Sequence, residues 1–335
     1  MQRRWLLVRG LGLALGAVML WWAQEPGQAQ AGDGKKWYKG NLHTHTSHSD
    51  GDSTPMEVAA WYKGNRYQFL ALTDHNYFTE IEGLNAMHAA HERFLLITGE
   101  EVTDAFDRKP VHINGVGLTR LVAPTGGRTM VETIQKNVDA IRAAGGLPSV
   151  NHPNFGWAFG SKELLQVEGA NLFEVYNGHH GVNNLGGGGW ESMDELWDAL
   201  LTAGKRWHGI AVDDAHTFKT TGKNLAVPGR GWVVARAARL EAGEIMAAIR
   251  AGDFYASTGV ELASVERSER GLKLEVKPAS SFKHRVHFIG RNGKVLKAVT
   301  ENVAEYQLQP GDGYVRARVD ASNGDQAWTQ PVWAR

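Results

Sequence analysis

Fourteen histidines and no cysteine mark this chain of 335 residues, and twelve of the histidines fall between His43 and His216. Without Cys there is no disulfide, thiolate zinc site, iron–sulfur cluster or Cys nucleophile, so any bound metal rests on His, Asp and Glu. His43 and His45 follow an apolar run that reads as a strand. In extended backbone residues two apart point the same way, which aims both imidazoles at one ion. Asp50 comes five residues later in Ser49-Asp50-Gly51, where a turn brings a carboxylate back. His75 closes Thr73-Asp74-His75, Glu101 closes Gly99-Glu100-Glu101, and His112 sits in Val111-His112-Ile113. His152 stands in Asn151-His152-Pro153, and Asp214 and His216 in Asp214-Ala215-His216. Six His and three carboxylates make nine N and O donors. One zinc site takes three or four, so nine point to two or three divalent ions sharing a bridging carboxylate. Imidazole and carboxylate without thiolate suit Zn, Mn or Fe alike.

The elements that must position these groups are legible as short apolar runs alternating with helical patterns from Trp37 to about Thr258. Candidate strands are Tyr38–Leu42, Tyr67–Thr73, Phe94–Thr98, Val111–Val116, Leu147–Asn151, Asn171–Tyr176 and Arg206–Val212. Helix starts are announced by Thr54-Pro55-Met56-Glu57, Thr129 with Glu132, and Ser192 with Glu195, in which a cap hydroxyl and a carboxylate each satisfy an orphan amide. Gly145 and Gly204 stand where helix-ending glycines belong. Strand, helix, strand at this spacing predicts parallel βαβ units, and about seven units favour an α/β barrel over an open sheet. Nearly all nine donors then lie at C-terminal strand ends, the face of a β/α barrel where catalytic groups gather. Beyond Gly259 the runs Leu272–Val276, Val286–Ile289, Lys294–Ala298, Tyr306–Leu308, Tyr314–Val319 and Ala327–Trp333 alternate without a helix, and Arg291-Asn292-Gly293 signals a hairpin. Residues 260–335 are thus expected to form a small antiparallel β module. The Gly186–Gly189 run lacks the spacing of a phosphate-cradling motif and reads as a loop beside Trp190.

Residues 1–31 combine Arg3, Arg4 and Arg9 with the apolar stretch Leu11–Ala23 and the small-residue ending Ala29-Gln30-Ala31, the pattern of a cleaved secretory signal. Thirteen apolar residues are too few for a bilayer span of about 20, so no stable membrane anchor is expected after cleavage. Arg3-Arg4 also fits twin-arginine export, and the expected location is periplasmic or secreted, by that route or the Sec route. The whole chain balances 36 basic against 36 acidic residues; losing three Arg and one Glu with the signal leaves a net charge of −2. A nucleic-acid partner, which would call for a basic surplus, is not expected. The partner expected is a small-molecule ester.

At these residues the chain resembles the PHP (polymerase and histidinol phosphatase) superfamily, whose motifs His-x-His with Ser-Asp-Gly, Thr-Asp-His, Gly-x-Glu, a single His, Asn-His-Pro and Asp-x-His occur here in order. The stretches Trp37–His43, Phe254–Gly259 and Ala327–Trp333 are similar to its carbaryl-hydrolase-like (CehA/McbA) branch. The resemblance implies a distorted (β/α)7 barrel over 37–259 and a β-sandwich-like module over 260–335. It also implies a ligand set: His43, His45, Glu101 and Asp214 for one metal; Glu101 bridging to a second completed by His112 and His152; Asp50, His75 and His216 for a third. Glu101 is taken over Glu100 because it fills the Gly-x-Glu position, and His48 is placed behind the ligands.

The expected chemistry is metal-assisted hydrolysis, in which a metal-bridging hydroxide attacks an ester with no side-chain nucleophile. His75 or His216 would protonate the leaving group, and Asp214 is counted with them as catalytic. No Gly-x-Ser-x-Gly elbow is present. A phosphoesterase is favoured, with a carbamate or aryl-ester hydrolase as the alternative. From another class, the competing reading is a secreted glycan- or envelope-binding protein with structural metals. His88 and His91 read as a solvated helix face. His179 and His180 lie at a strand end within reach of substrate, Trp157, Trp190 and Tyr255 are candidate pocket aromatics, and Arg230 and Lys205 are candidate clamps for an anion.

Overall fold

The computed structural model describes residues 34–334 except 93 and 281, with side chains left aside for 89–92. The signal expected over residues 1–31 lies outside the described residues. The chain opens with β1 (Lys36–Asn41), α1 (Pro55–Gly64), β2 (Phe69–Ala71), α2 (Glu82–Glu92) and β3 (Leu95–Ile97). There follow β4 (Gly99–Phe106), β5 (Lys109–Val116), α3 (Met130–Ala143), β6 (Leu147–Val150), α4 (Ser161–Leu164), β7 (Leu172–Asn177), α5 (Met193–Thr202) and β8 (His208–Val212). Then come β9 (Trp232–Ala237), α6 (Ala242–Ala251) and β10 (Phe254–Ser257). The last stretch holds strands only: β11 (Leu262–Ser268), β12 (Gly271–Val276), β13 (His284–Gly290), β14 (Lys294–Val299), β15 (Val303–Gln307), β16 (Tyr314–Ala321), β17 (Gln326–Thr329) and β18 (Val332–Trp333).

The capping signals do what their chemistry dictates. Thr54 and Ser192 both close full capping boxes with Glu57 and Glu195, while at α3 the Thr129 hydroxyl accepts the Glu132 N–H and Glu132 turns instead to the Arg128 N–H. Gly145 and Gly204 adopt the positive φ of 81° and 88° that ends a helix tightly.

The fold is α/β with mixed sheets. One sheet runs β14-β13-β16-β17-β10-β9-β1-β2-β3, with β18 on β16; a second runs β4-β5-β6-β7-β8; a third is β11-β12-β15. β1-β2-β3 and β6-β7-β8 are parallel, as alternating strands and helices require. The expectation of uninterrupted parallel units fails between the third and fifth candidate strands, where β5 also pairs antiparallel with β6. There β4, missed because Glu100, Glu101 and Asp104 break its apolar pattern, pairs antiparallel with β5 across all eight of its residues. The ladders therefore form separate sheets, and the barrel expectation is met only as an α/β arrangement.

What joins the first two sheets positions the site. The chain crosses between them at Thr98, and a Cβ on Gly99 would lie 2.8 Å from the Leu72 carbonyl oxygen, so only glycine allows that approach. Single parallel bridges then tie Thr44 to Ala215 and His75 to Glu101. Beneath them one core draws on both sheets, with Leu42, Phe69, Ile97, Val116, Leu172 and Ile210 all buried. Ile134, Val138 and Ile141 of α3 and Leu196, Trp197 and Leu200 of α5 pack on the outer face of the second sheet. The C-terminal strands bury Val286, Phe288, Val315 and Val319. They hydrogen-bond to the rest through β17 on β10, and the Asn292 turn between β13 and β14 confirms the hairpin signal. Buried Arg316 on β16 forms a two-point pair with Asp198 of α5, both bonds 2.7 Å, and a third contact of 2.9 Å to Asp194. No helix among the described residues is long and apolar enough to cross a membrane.

Candidate metal centre

Backbone hydrogen bonds stitch together the segments that carry the donors. Asp214 N–H donates to the His43 carbonyl at 3.0 Å, His45 N–H to Ala215 at 2.9 Å and Glu101 N–H to Asp74 at 3.1 Å. Asp74 is the anchor of the loop before Asp50: it accepts the Thr46 N–H at 2.7 Å and the Ser49 hydroxyl at 2.9 Å. Asp213 plays a similar part beside Asp214, accepting the Arg230 and Gly231 N–H groups and the Tyr62 hydroxyl. Asp214 itself is held at φ 49°, a left-handed conformation that persists in a non-glycine residue only when its surroundings enforce it.

The structure brings all nine sequence-derived donors to one place. His43 Nε2 and His45 Nε2 face each other at 3.1 Å. Glu101 Oε2 lies 3.4 Å from each, and Asp214 Oδ1 lies 3.3 and 3.1 Å from them. The other Glu101 oxygen, Oε1, is 3.1 Å from His112 Nδ1 and 3.3 Å from His152 Nε2. Asp50 spans the outer group, its Oδ1 3.3 Å from His216 Nε2 and its Oδ2 3.6 Å from His75 Nε2. His45 contributes there too, with Nδ1 3.6 Å from Asp50 Oδ1 and its ring stacked on His216 at 4.0 Å.

Glu100 and Glu101 part company because a strand alternates its faces. Glu101 enters the cluster, whereas Glu100 turns away to accept the Val122 N–H at 2.8 Å, and burial pushes its pKa up to about 7. His48 stands outside the cluster, bonded to the Thr79 hydroxyl at 2.8 Å with its ring against Tyr77.

The donor set fits divalent cations. Ligand atoms about 2.0–2.1 Å from a tetrahedral ion are about 3.3–3.4 Å apart. The five separations given above among His43, His45, Glu101 and Asp214 fall between 3.1 and 3.4 Å. The electrostatics agree. Burial opposes charge on His43, yet Asp214, Glu101 and Glu174 outweigh it and raise its pKa well above the ordinary value. Burial likewise opposes ionisation of Glu101, but His43, His112 and His75 hold it well below the carboxylate range; Asp214 behaves the same way against His43 and His45. At the outer group burial is outweighed by Glu101 and Asp50, which carry His75 up to about 10. Such a cluster carries buried negative charge that calls for a cation.

Three supporting residues escaped the sequence reading. Glu174 of β7 is buried behind His43, its Oε1 2.6 Å from His43 Nδ1. Taking that proton fixes the tautomer and leaves the Nε2 lone pair for an ion. A carboxylate inside the apolar run Leu172-Phe173-Glu174-Val175 was the available signal, because unpaired charges are rarely buried. Asn177 donates to Glu174 Oε2 at 2.9 Å and Asp214 Oδ2 at 3.1 Å. Asn151 donates to Glu101 Oε1 at 2.8 Å.

Asp50, His75, Glu101, His112, His152, Phe155, His179, Asp214 and His216 border a cavity of about 140 Å³. Pockets for whole drug-sized ligands run to about 300–1,000 Å³, so this one admits a reacting head group and leaves the rest of a substrate outside. The expected cationic clamps do not reach it. Arg230 is spent on the Gly178 and Gly222 carbonyls and Lys205 on Glu168 and the Val167 carbonyl. Tyr255 is buried with its hydroxyl facing Leu262, while Trp157 and Trp190 pack on each other at a tilt, ring centres 5.4 Å apart. A larger groove of about 750 Å³ by Tyr176 and Arg318 has its charges already matched, Arg318 to Asp194 at 2.8 Å.

No protein-family model and no curated protein sequence matches the chain. Among solved structures it is similar to a two-domain protein from Bacteroides vulgatus described as containing a predicted PHP-like metal-dependent phosphoesterase. The TM-score is 0.52 at 17% identity, over 87% of this chain and 92% of that one. An amidohydrolase from Chromobacterium violaceum, solved with sulfate and no metal, gives a TM-score of 0.40 at 18% identity over 56% of this chain and 89% of that one. The first likeness shows a shared fold over most of the chain.

Proposed function

We propose that the protein is an exported metal-dependent hydrolase of PHP type, with phosphoesters as its substrate class. In this reading the first two sheets are the halves of a distorted (β/α)7 barrel over 37–259, and residues 260–335 are a module braced on it by Arg316. The observation that carries the proposal is the donor geometry: nine imidazole and carboxylate groups gathered at one site, seven of them lining its cavity, in four overlapping groups close enough to share an ion. Divalent ions held there would lower the pKa of bound water toward about 7 and absorb charge developing on substrate oxygens. Zn, Mn and Fe all suit the donors.

The residues divide the work. His43, His45, Glu101 and Asp214 form the inner set, with Glu174 fixing the His43 tautomer. His112 and His152 share Glu101's second oxygen. Asp50, His75 and His216 form the outer set at the mouth, where His75 or His216, whichever an ion leaves unengaged, would hand a proton to a leaving group. Phe155 closes one wall and sheds water.

A neutral carbamate or aryl ester is the second reading, favoured by one observation: no Lys or Arg is among the residues lining the cavity. Metal analysis of the purified protein with a panel of phosphomonoesters, phosphodiesters and carbamate esters separates the two. Hydrolysis of a phosphoester, read as phosphate from a monoester or as alcohol from a diester, supports the first, release of the alcohol from carbamates alone supports the second, and no turnover with any added metal overturns both. Unchanged biological function in Asp214→Ala would instead favour the binding-protein reading. N-terminal sequencing of protein recovered from the periplasm or medium tests cleavage after Ala31.

A further inference from the structure

We propose that His179 is a neutral hydrogen-bond donor to the substrate's reacting head group, a catalytic role distinct from metal ligation and resting on the hydrolase reading above. Seven of the nine side chains that border the cavity belong to the donor cluster, and the other two are Phe155 and His179. Phe155 has no polar atom. His179 is thus the one lining side chain left free to address a substrate oxygen.

Its chemistry is set by the backbone. Gly181 N–H donates to His179 Nδ1 at 3.0 Å, so Nδ1 holds a lone pair and the ring proton sits on Nε2. Among the described residues Nε2–H meets no acceptor. The ring is held between Phe155 and His180, with centre separations of 5.7 and 4.5 Å. Its backbone N–H is tied to Asn177 Oδ1 at 2.8 Å, and Asn177 reaches on to Asp214. The donor is therefore fixed relative to the inner metal set before substrate arrives, the arrangement in which one hydrogen bond counts most toward stabilising developing charge.

Two variants isolate the donor. His179→Phe keeps a ring in the stack and removes Nε2–H; His179→Gln returns an amide N–H at about the Nε2 position. Both deny Gly181 its acceptor, so any loop effect is common to them. Each is compared with wild type for metal content by mass spectrometry, for affinity toward inorganic phosphate by calorimetry, and for kcat and KM on the best ester of the panel. The expected result is unchanged metal content in all three proteins. His179→Phe should lose about 100-fold in kcat and about tenfold in phosphate affinity, with much of both restored in His179→Gln. Equal kcat and phosphate affinity in His179→Phe and wild type would overturn the proposal, as would metal loss in His179→Phe or equal defects in the two variants. If wild type turns over no ester, the hydrolase reading falls by itself, and the phosphate titration alone decides His179.

Discussion

Glu174→Gln tests whether the second layer of the site is built for metal, and the structure dictates why so small a change matters. The Glu174 carboxylate accepts three hydrogen bonds: from His43 Nδ1 at 2.6 Å, from the His152 N–H at 2.9 Å and from Asn177 Nδ2 at 2.9 Å. A glutamine cannot replace it in either orientation. With its oxygen toward His43, its NH2 faces the two donors His152 N–H and Asn177 Nδ2. Flipped, its NH2 faces His43 Nδ1, and the imidazole is driven to the other tautomer with a proton on Nε2, where the lone pair for the ion should be. Two buried donors are left opposed in the first case, at a cost of about 1–3 kcal/mol each. Loss of such an outer partner lowers metal affinity about 10–100-fold, equivalent to about 1.4–2.7 kcal/mol. Chelator competition against Zn and Mn measures the dissociation constant, and circular dichroism checks the fold. A folded Glu174→Gln protein that binds metal within twofold of wild type would refute the reasoning.

Other consequences are as specific. Glu101→Gln should abolish binding of at least one ion whereas Glu100→Gln, facing Val122, should leave stoichiometry unchanged; mass spectrometry of the two proteins distinguishes them. Arg316→Ala strands Asp194 and Asp198 in the interface and should destabilise the protein by about 3–5 kcal/mol, read from urea unfolding. Burial, with Arg267 adding to it, holds His208 down to about 4, below its ordinary 6.5. Between those values the unfolded chain binds the proton and the folded chain does not, so stability present above pH 6.5 is lost as pH falls. The His208 share between pH 7 and pH 5 is about 2 kcal/mol, so the drop in unfolding free energy over that range should be smaller in His208→Gln by that amount.

The parts of this site that were legible in the sequence share a physical property: most donors lie in or just after a short apolar run, and their chemistry is declared by residue type alone. Hence the seven candidate strands, the capping boxes at Thr54 and Ser192, and the nine donors could be read before any coordinate was known. What was hidden depends on relations that run across the chain. β4 carries Glu100, Glu101 and Asp104 in a pattern that hides a strand whose two faces serve different purposes, one toward the cluster and one toward Val122. Glu174 and Asn177 reach His43 and Asp214, 131 and 37 residues away, so their roles exist only once β7 pairs with β8 and meets the segment that follows β1. Arg230 and Lys205 show the converse: a cation near glycines and carboxylates in sequence says nothing of which carbonyl it will be spent on. The cavity is consequently lined without a Lys or Arg, and the attraction for an anionic head group rests on the cations the nine donors hold and on the neutral N–H of His179. That makes substrate affinity a function of metal occupancy rather than of surface charge. Phosphate binding should therefore collapse when chelator strips the metals and should change little between low and moderate salt, because charges inside so small a buried cluster are screened far less than those on a surface.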